Sequence, residues 1–348
     1  METHIHGGDI YSRSFELDYS VNINPLGIPR AVKEAAEKGV ALSEHYPDVQ
    51  CRTLKRAIER KEGVSREAVI CGNGAAELIF AIALGIRPGK ALLAAPGFAE
   101  YEQALRAAGC SISYYTLKEE NGFEAGRDFV DMVTEDLDIV FLCNPNNPTG
   151  IAYSRDFLRD VLVKCRECKV VLVVDECFIE FMDSPMEYTM RPFLEEYDNL
   201  FLLKAFTKTY AMAGLRLGYG LSSSRALLEA MAAVMQPWNV SIPAQMAGTA
   251  ALAETGYVES ARNLIRSERK YLTDNLRQLG LTVYDGAANF IFFKGPVNLG
   301  EACKDAGILL RDCSNYHSLG AGYFRIAVRT RKENELLVKT MQRIMGVS

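Results

Sequence analysis

The stretch Asn199–Tyr219, NLFLLKAFTKTYAMAGLRLGY, holds the reading that decides the fold. Its first part, Asn199–Phe206, is a nearly continuous apolar run, as expected of a strand covered on both faces of its sheet. The chain then turns through Thr, Ala and Gly residues around Lys208 before reaching Arg216. Three upstream runs share the apolar character: Lys90–Pro96 (KALLAAP), Asp138–Asn144 (DIVFLCN) and Val170–Asp175 (VVLVVD). Between them, Phe98–Ala108 and Ser154–Cys168 carry apolar residues at three- and four-residue spacing, which predicts helices. Strands alternating with helices predict an α/β architecture with a mostly parallel central sheet.

After Pro243 the pattern changes. A long helical region to about Leu279 leads into a strand pair within Leu281–Lys294 (LTVYDGAANFIFFK). A helix, the strands Ile308–Cys313 (ILLRDC) and Tyr323–Thr330 (YFRIAVRT), and a last helix from about Lys332 follow. We expect a large α/β domain over residues 44–242 and a smaller α+β domain made of residues 243–348 and 1–43, the N-terminal part folding back.

Composition sets outer limits. The 348 residues are 49% apolar and 24% charged, ordinary for a globular enzyme with a large core. A net charge of -5 without any basic run speaks against nucleic acid as a partner. Nine cysteines, an odd number without framework spacing, fit a reducing compartment. Cys165 and Cys168 form a CxxC, but no second pair accompanies them and no metal is expected. The start METHIHGGDIYSR lacks the apolar core of a secretory signal, and no segment approaches the roughly 20 apolar residues of a membrane span. The expectation is a cytoplasmic enzyme.

Three segments besides the Lys208 turn can carry chemistry. In Gly72–Glu77 (GNGAAE), Gly74, Ala75 and Ala76 stand at a helix start, where free N–H groups receive phosphate and small residues allow close approach. A dinucleotide fingerprint would need a third glycine where Glu77 stands, and an acidic residue where LLAAPG lies. The heptapeptide Asn144–Gly150 (NPNNPTG) follows a strand and, as a whole, is more than an ordinary Pro/Asn turn. Asp175 ends an apolar strand, placing a carboxylate at the sheet edge where α/β folds bind ligands. Taken singly, Asp175 could be a helix cap and Lys208 a surface cation.

Together and in this order, the motifs resemble the fold-type I aminotransferase superfamily (class I/II) of pyridoxal-phosphate enzymes. The resemblance implies the aspartate aminotransferase-like fold and pyridoxal 5'-phosphate held as a Schiff base on Lys208. Asp175 would face the ring nitrogen and favour its protonated form, the better electron sink. Asn147 would bond the phenolic oxygen. Phe98, in APGFAEY, would stack on the ring with Tyr101 nearby. Thr207, Arg216 and the Gly74–Ala76 helix start would hold the phosphate. Burial beside cations would lower the Lys208 pKa, as imine formation requires. Tyr46, in HYPD, matches a tyrosine that reaches the phosphate of a neighbouring subunit, which implies a homodimer with shared active sites.

Within the superfamily the chain is most similar to the threonine-phosphate decarboxylases of cobalamin biosynthesis, on HGGDI, DYSVNINPLGIP, GNGAAELIF, DECFIEF, QPWNVS, ILLRDCSNY and FRIAVRT. Histidinol-phosphate aminotransferases are similar through the cofactor motifs, but SVNINPLG, Phe178 and VRT depart from their pattern. The resemblance implies a substrate site of His6, Gly7, Asn22, Asn147, Arg311 and Arg325. The Arg325 fork would clamp the substrate carboxylate, and His6 with the HGG backbone would meet its phosphate. The expected reaction is decarboxylation of O-phospho-L-threonine to (R)-1-aminopropan-2-yl phosphate. The alternative is transamination of histidinol phosphate or another amino acid. A non-catalytic binding protein is a third reading, against which the intact Lys208, Asp175, Asn147 and Arg216 weigh. Two departures stand out. Ala205 replaces a hydroxyl residue that touches phosphate in many relatives, a loss of about 1 kcal/mol unless Lys204 or Thr207 compensates. Phe178 replaces a tyrosine that would donate to the phenolate.

Overall fold

The computed structural model describes residues 7–12 and 14–346. Its strands run from β1 (Leu17–Asp18) through β2 (Val69–Gly72), β3 (Lys90–Ala95), β4 (Ser111–Thr116), β5 (Ile139–Cys143), β6 (Val171–Asp175), β7 (Leu200–Ala205) and β8 (Gly218–Leu221). Then come β9 (Thr282–Tyr284), β10 (Phe290–Lys294), β11 (Ile308–Leu309), β12 (Arg311–Asp312) and β13 (Tyr323–Ala327). The central seven-stranded sheet has the order β2-β8-β7-β6-β5-β3-β4, and only β8 is antiparallel to its neighbours. The mostly parallel α/β sheet expected from the apolar runs is what forms.

Alternation along the strands makes two cores. Leu93, Phe141, Val173 and Phe201 bury on one face with Leu78, Ile82 and Leu105, and that core continues into Phe290, Phe324 and Leu337. Leu92, Val140, Leu172 and Leu202 bury on the other face with Leu54, Leu158 and Ala247. Both cysteines of the CxxC, Cys165 and Cys168, are apolar filler in this second core. Between β1 and β4 the chain forms the helices α1 (Arg30–Val40), α2 (Arg52–Glu62), α3 (Ala75–Ile86) and α4 (Ala99–Ala107). Among the described residues no helix is long and apolar enough to cross a membrane.

The antiparallel sheet β12-β13-β10-β9 forms from the C-terminal third. The run ILLRDC is not one strand. Ile308 and Leu309 pair with β1, and after Leu310 the chain changes partner, so Arg311 and Asp312 pair with β13. The helical region after Pro243 is likewise two helices, Ile242–Ala251 and Tyr257–Gln278, the second beginning at Gly256. β5, β6 and β7 end level with one another, Cys143 opposite Asp175 and Asp175 opposite Leu203. That shared carboxyl edge presents the NPNNPTG loop, Asp175 and the Lys208 turn side by side.

Candidate active site

A cavity of about 360 Å3 opens at this edge. Its walls include Ala75, Ala76, Phe98, Asn147, Asp175, Thr207, Lys208 and Arg216 from the large sheet's side. Gly7, Asn22, Arg311 and Arg325 enter from the N-terminal arm and the smaller sheet.

At one end lies an anion cradle. α3 starts at Ala75, directly after Gly74 in a left-handed conformation (φ +83°). A side chain at Gly74 would put its Cβ 2.5 Å from Arg216 Nη2, so glycine is what lets the guanidinium reach the helix start. The Arg216 Nη1 also donates to the Ala213 carbonyl at 3.3 Å. Helix N–H groups, an arginine fork and the Thr207 hydroxyl make a site for a phosphate dianion.

At the other end is a buried carboxylate. Asp175 Oδ1 accepts the Cys177 N–H at 2.9 Å, and Oδ2 accepts the Tyr101 hydroxyl at 2.5 Å. Burial pushes the Asp175 carboxyl above its ordinary range, while those two donors oppose the shift. Lys208 lies between the two ends. Burial, together with the Arg325 and Arg216 cations, brings its ammonium down to about 8. A substantial fraction is therefore neutral amine near physiological pH, able to act as nucleophile or base. Phe98 flanks the same space, edge-on to Tyr101 with ring centroids 5.5 Å apart.

The substrate wall carries two buried arginines. Arg325 donates through Nη2 to the Ser20 carbonyl at 2.8 Å and through Nη1 to Asn147 Oδ1, while its buried Nε has no partner among the described residues. Asn22 Oδ1 is buried and equally without one. Arg311 donates to Asn315 Oδ1 at 2.9 Å and lies over the Tyr316 ring at 5.1 Å. The Gly7–Gly8 backbone is pressed onto Ser20, whose hydroxyl accepts the Gly8 N–H at 2.7 Å. A Cβ at Gly7 would meet the Ser20 carbonyl at 2.5 Å.

Two expected residues are not in this cavity. Tyr46 is 78% exposed and packs on Trp238 with centroids 4.6 Å apart, outside its own chain's pocket. His6 lies outside the described residues. One expectation needs correcting. Lys204 cannot replace the hydroxyl missing at Ala205, because its Nζ is 3.0 Å from Glu176 on the opposite face of the sheet; Thr207 does line the cavity. The sequence reading also missed several lining residues, among them Tyr114, Asn315 and His317. Asn315 stands four residues after Arg311, within the motif already singled out. Tyr114 stacks on His317 at 4.1 Å across the cleft, a long-range contact without local signature.

A helix-start anion cradle, a buried lysine of lowered pKa and a buried carboxylate at the edge of one mostly parallel sheet define the class: an enzyme with the aminotransferase fold. The solved histidinol-phosphate aminotransferase from Clostridium acetobutylicum superimposes with a TM-score of 0.89 at 30% identity, covering 95% of this chain and 99% of that one. A family model for aminotransferase class I and II matches residues 16–341, and the chain belongs to that family. It is 36% identical to the threonine-phosphate decarboxylase of Salmonella typhimurium over 98% of this chain and 96% of that protein. It is 33% identical to a histidinol-phosphate aminotransferase of Oleidesulfovibrio alaskensis over 96% and 89% of the two chains. Pyridoxal 5'-phosphate is the cofactor, and the residues present fit it: the Gly74–Arg216 cradle would take a phosphate, Asp175 a protonated ring nitrogen and Lys208 an aldehyde.

Proposed function

We propose that the protein decarboxylates O-phospho-L-threonine to (R)-1-aminopropan-2-yl phosphate, the cobalamin linker precursor. The observation that carries this reading is the pair of buried arginines, Arg311 and Arg325, facing the cavity that holds Lys208. Besides the cradle at Gly74 and Arg216, two further guanidinium groups face the cavity, which suits a substrate bearing two anions. O-phosphothreonine has a carboxylate and a phosphate; histidinol phosphate has no carboxylate, although its amino acceptor 2-oxoglutarate has two. Similarity over nearly the full length to the Salmonella decarboxylase supports the same choice.

The chain's own groups divide the work. Arg325 grips the carboxylate, with Asn147 and Ser20 fixing the guanidinium plane. Arg311, steadied by Asn315 and Tyr316, takes the phosphate together with the Gly7 backbone. Bound pyridoxal phosphate supplies the electron sink for the bond broken at Cα. Asp175, oriented by Tyr101 and Cys177, holds positive charge at the ring nitrogen. Lys208, in its ammonium form, would deliver the proton that Cα gains once carbon dioxide has left. Which Cα bond breaks is decided by how the two arginines turn the substrate.

The same reading extends to a homodimer in a reducing cytoplasm. Tyr46 and Trp238 are exposed and packed on each other, and Val40, Leu42 and Val49, near Tyr46 in sequence, are exposed as well; a second copy covering them would bring Tyr46 to the partner's phosphate cradle. All nine cysteines are free thiols. The division into residues 44–242 and residues 1–43 with 243–348 belongs to the same reading. The deciding experiment incubates holoenzyme with O-phosphothreonine and, separately, with histidinol phosphate plus 2-oxoglutarate. Carbon dioxide from the first is expected; glutamate from the second without carbon dioxide from the first would replace decarboxylation with transamination.

A further inference from the structure

A knot of buried charge lies beneath the active site, on the other face of the central sheet. Asp175 and Glu176 are consecutive at the end of β6, so their side chains leave opposite faces. Asp175 enters the cavity, whereas Glu176, 1% exposed, points beneath it. Lys204, 5% exposed, sits on the neighbouring β7, four residues before Lys208. Its Nζ lies 3.0 Å from Glu176 and 3.8 Å from Glu180. Glu176 also accepts the Thr189 hydroxyl at 2.8 Å and the Met190 N–H at 2.7 Å. Alongside, Glu62 accepts the Tyr219 hydroxyl at 2.5 Å and meets Arg191 at 3.6 Å.

A buried ion pair is a weak source of stability, since well-packed apolar side chains do as well or better. Its location suggests another use. The β6–β7 ladder closes at Asp175 opposite Leu203, with the Glu176 N–H donating to the Leu203 carbonyl at 2.9 Å. Immediately beyond, the two strands part into the loop after Asp175 and the turn that carries Lys208. Glu176 and Lys204 are the next cross-strand pair, and their side chains join the strands where the ladder stops.

We propose that Lys204 is a positioning residue for the cofactor pocket: its ammonium, held between Glu176 and Glu180, fixes the spacing of the strand ends that present Asp175 and Lys208. Burial works against the ammonium, but Glu62, Glu176 and Glu180 outweigh it and hold its pKa above the ordinary value, so the bridge stays charged. The cationic head faces away from the cavity and touches no reacting group. Its effect passes through the backbone.

This inference rests on Lys208 being the cofactor-bearing lysine, which borohydride reduction of wild-type holoenzyme and mapping of the labelled peptide tests separately. The main variant is Lys204→Met combined with Glu176→Gln. It removes both charges, and Glu62, which loses the Lys204 cation, keeps Arg191 and the Tyr219 hydroxyl, so the apoprotein should still fold, though it melts below wild type. Pyridoxal phosphate should nevertheless bind the apoprotein at least tenfold more weakly. The pH midpoint of the bound cofactor's absorbance should move by half a unit or more, and kcat should fall further than KM rises. Lys204→Arg, which keeps the bridge, should restore affinity and midpoint. A double variant with wild-type cofactor affinity and midpoint would overturn the proposal, whatever its melting temperature. Should the double variant not fold, Glu176→Gln alone decides: it loosens the bridge while Lys204 keeps Glu180, and a displaced midpoint supports the proposal whereas an unchanged one refutes it.

Discussion

The hydroxyl of Tyr101 donates to Asp175 Oδ2 at 2.5 Å, three residues along α4 from the Phe98 ring that flanks the same cavity. The spacing puts Phe98 and Tyr101 on one side of the helix start, so a single turn supplies both an aromatic wall and an orienter for the carboxylate. The Tyr101 ring is stacked on Phe141 at 5.0 Å, which fixes the hydroxyl's approach. Asp175 is thereby held in one rotamer before any cofactor arrives.

Tyr101→Phe tests this pre-orientation. Losing the donor removes one of the contacts that hold the Asp175 pKa down against burial, so its carboxyl rises further. We expect the acid limb of the kcat profile to move to higher pH and kcat near neutrality to fall about tenfold, about 1.4 kcal/mol of barrier. KM should change little, because Arg311 and Arg325, the residues proposed to hold the substrate, come from the smaller sheet and not from α4. Steady-state profiles of both enzymes across pH 5–9 check it, and coincident acid limbs would show that Tyr101 only fills space.

Lys208 should make the apoprotein's stability depend on alkaline pH. Its folded pKa, about 8, lies below the ordinary lysine value, so the unfolded chain binds the extra proton between about pH 8 and pH 10.5. Stability from this group therefore rises through that window and is lowest below it, where the folded state must hold a desolvated cation. Lys208→Met should stabilise the apoprotein by about 1–3 kcal/mol at pH 7, the range allowing for solvent in the cavity, and the advantage should vanish above pH 10.5. Denaturant melts of both apoproteins at several pH values measure it.

The sheet was legible because its strands are locally self-evident: runs such as Ile139–Cys143 are buried at every position, and only a strand covered on both faces needs that. The residues expected to hold the cofactor were picked out by the resemblance of their motifs to a known family, and Phe98, Asn147, Asp175 and Lys208 follow or close such strands. What escaped depends on pairing between distant segments. The change of partner at Leu310 is set by β1, nearly three hundred residues away, and the Tyr114–His317 stack joins the two walls of the cleft. Lys204 follows the same rule. In sequence it is, beside Thr207, a candidate stand-in for the hydroxyl missing at Ala205, whereas strand alternation and Glu176 turn it to the far face.

Phe178→Tyr should alter the cofactor's colour transition. Phe178 lines the cavity and packs edge-on against Phe290 with centroids 5.2 Å apart. A hydroxyl there adds a donor that favours the cofactor's phenolate form, so the pH midpoint of its absorbance change should fall. Spectroscopic titration of the two holoenzymes reads the midpoint directly; identical curves would place the new hydroxyl out of reach of the cofactor.

Glu119 clasps the two sides of the cleft together and should tune substrate binding from a distance. It follows β4 on the central sheet's side, yet its carboxylate accepts the hydroxyls of Tyr284 and Tyr323, each at 2.5 Å, and the Lys294 ammonium at 2.9 Å, all from the smaller sheet. Those three donors hold its pKa down to about 2. A depressed carboxyl contributes its full stability above the unfolded value, about 4.3, and loses it as pH falls toward 2. Because the group is partly exposed, Glu119→Gln should cost only about 1 kcal/mol near neutrality, and the difference from wild type should shrink below pH 4. The functional effect is more telling. Tyr323 begins β13, the strand that carries Arg325, and Arg311 pairs with Arg325 from β12. Loosening the clasp frees both arginines relative to Lys208, so KM for O-phosphothreonine should rise several-fold, while the cofactor's absorbance midpoint, to which Arg325 contributes as one of the cations beside Lys208, should move by less. A shifted midpoint with unchanged KM would mean that the clasp acts on the cofactor side and not on the substrate wall.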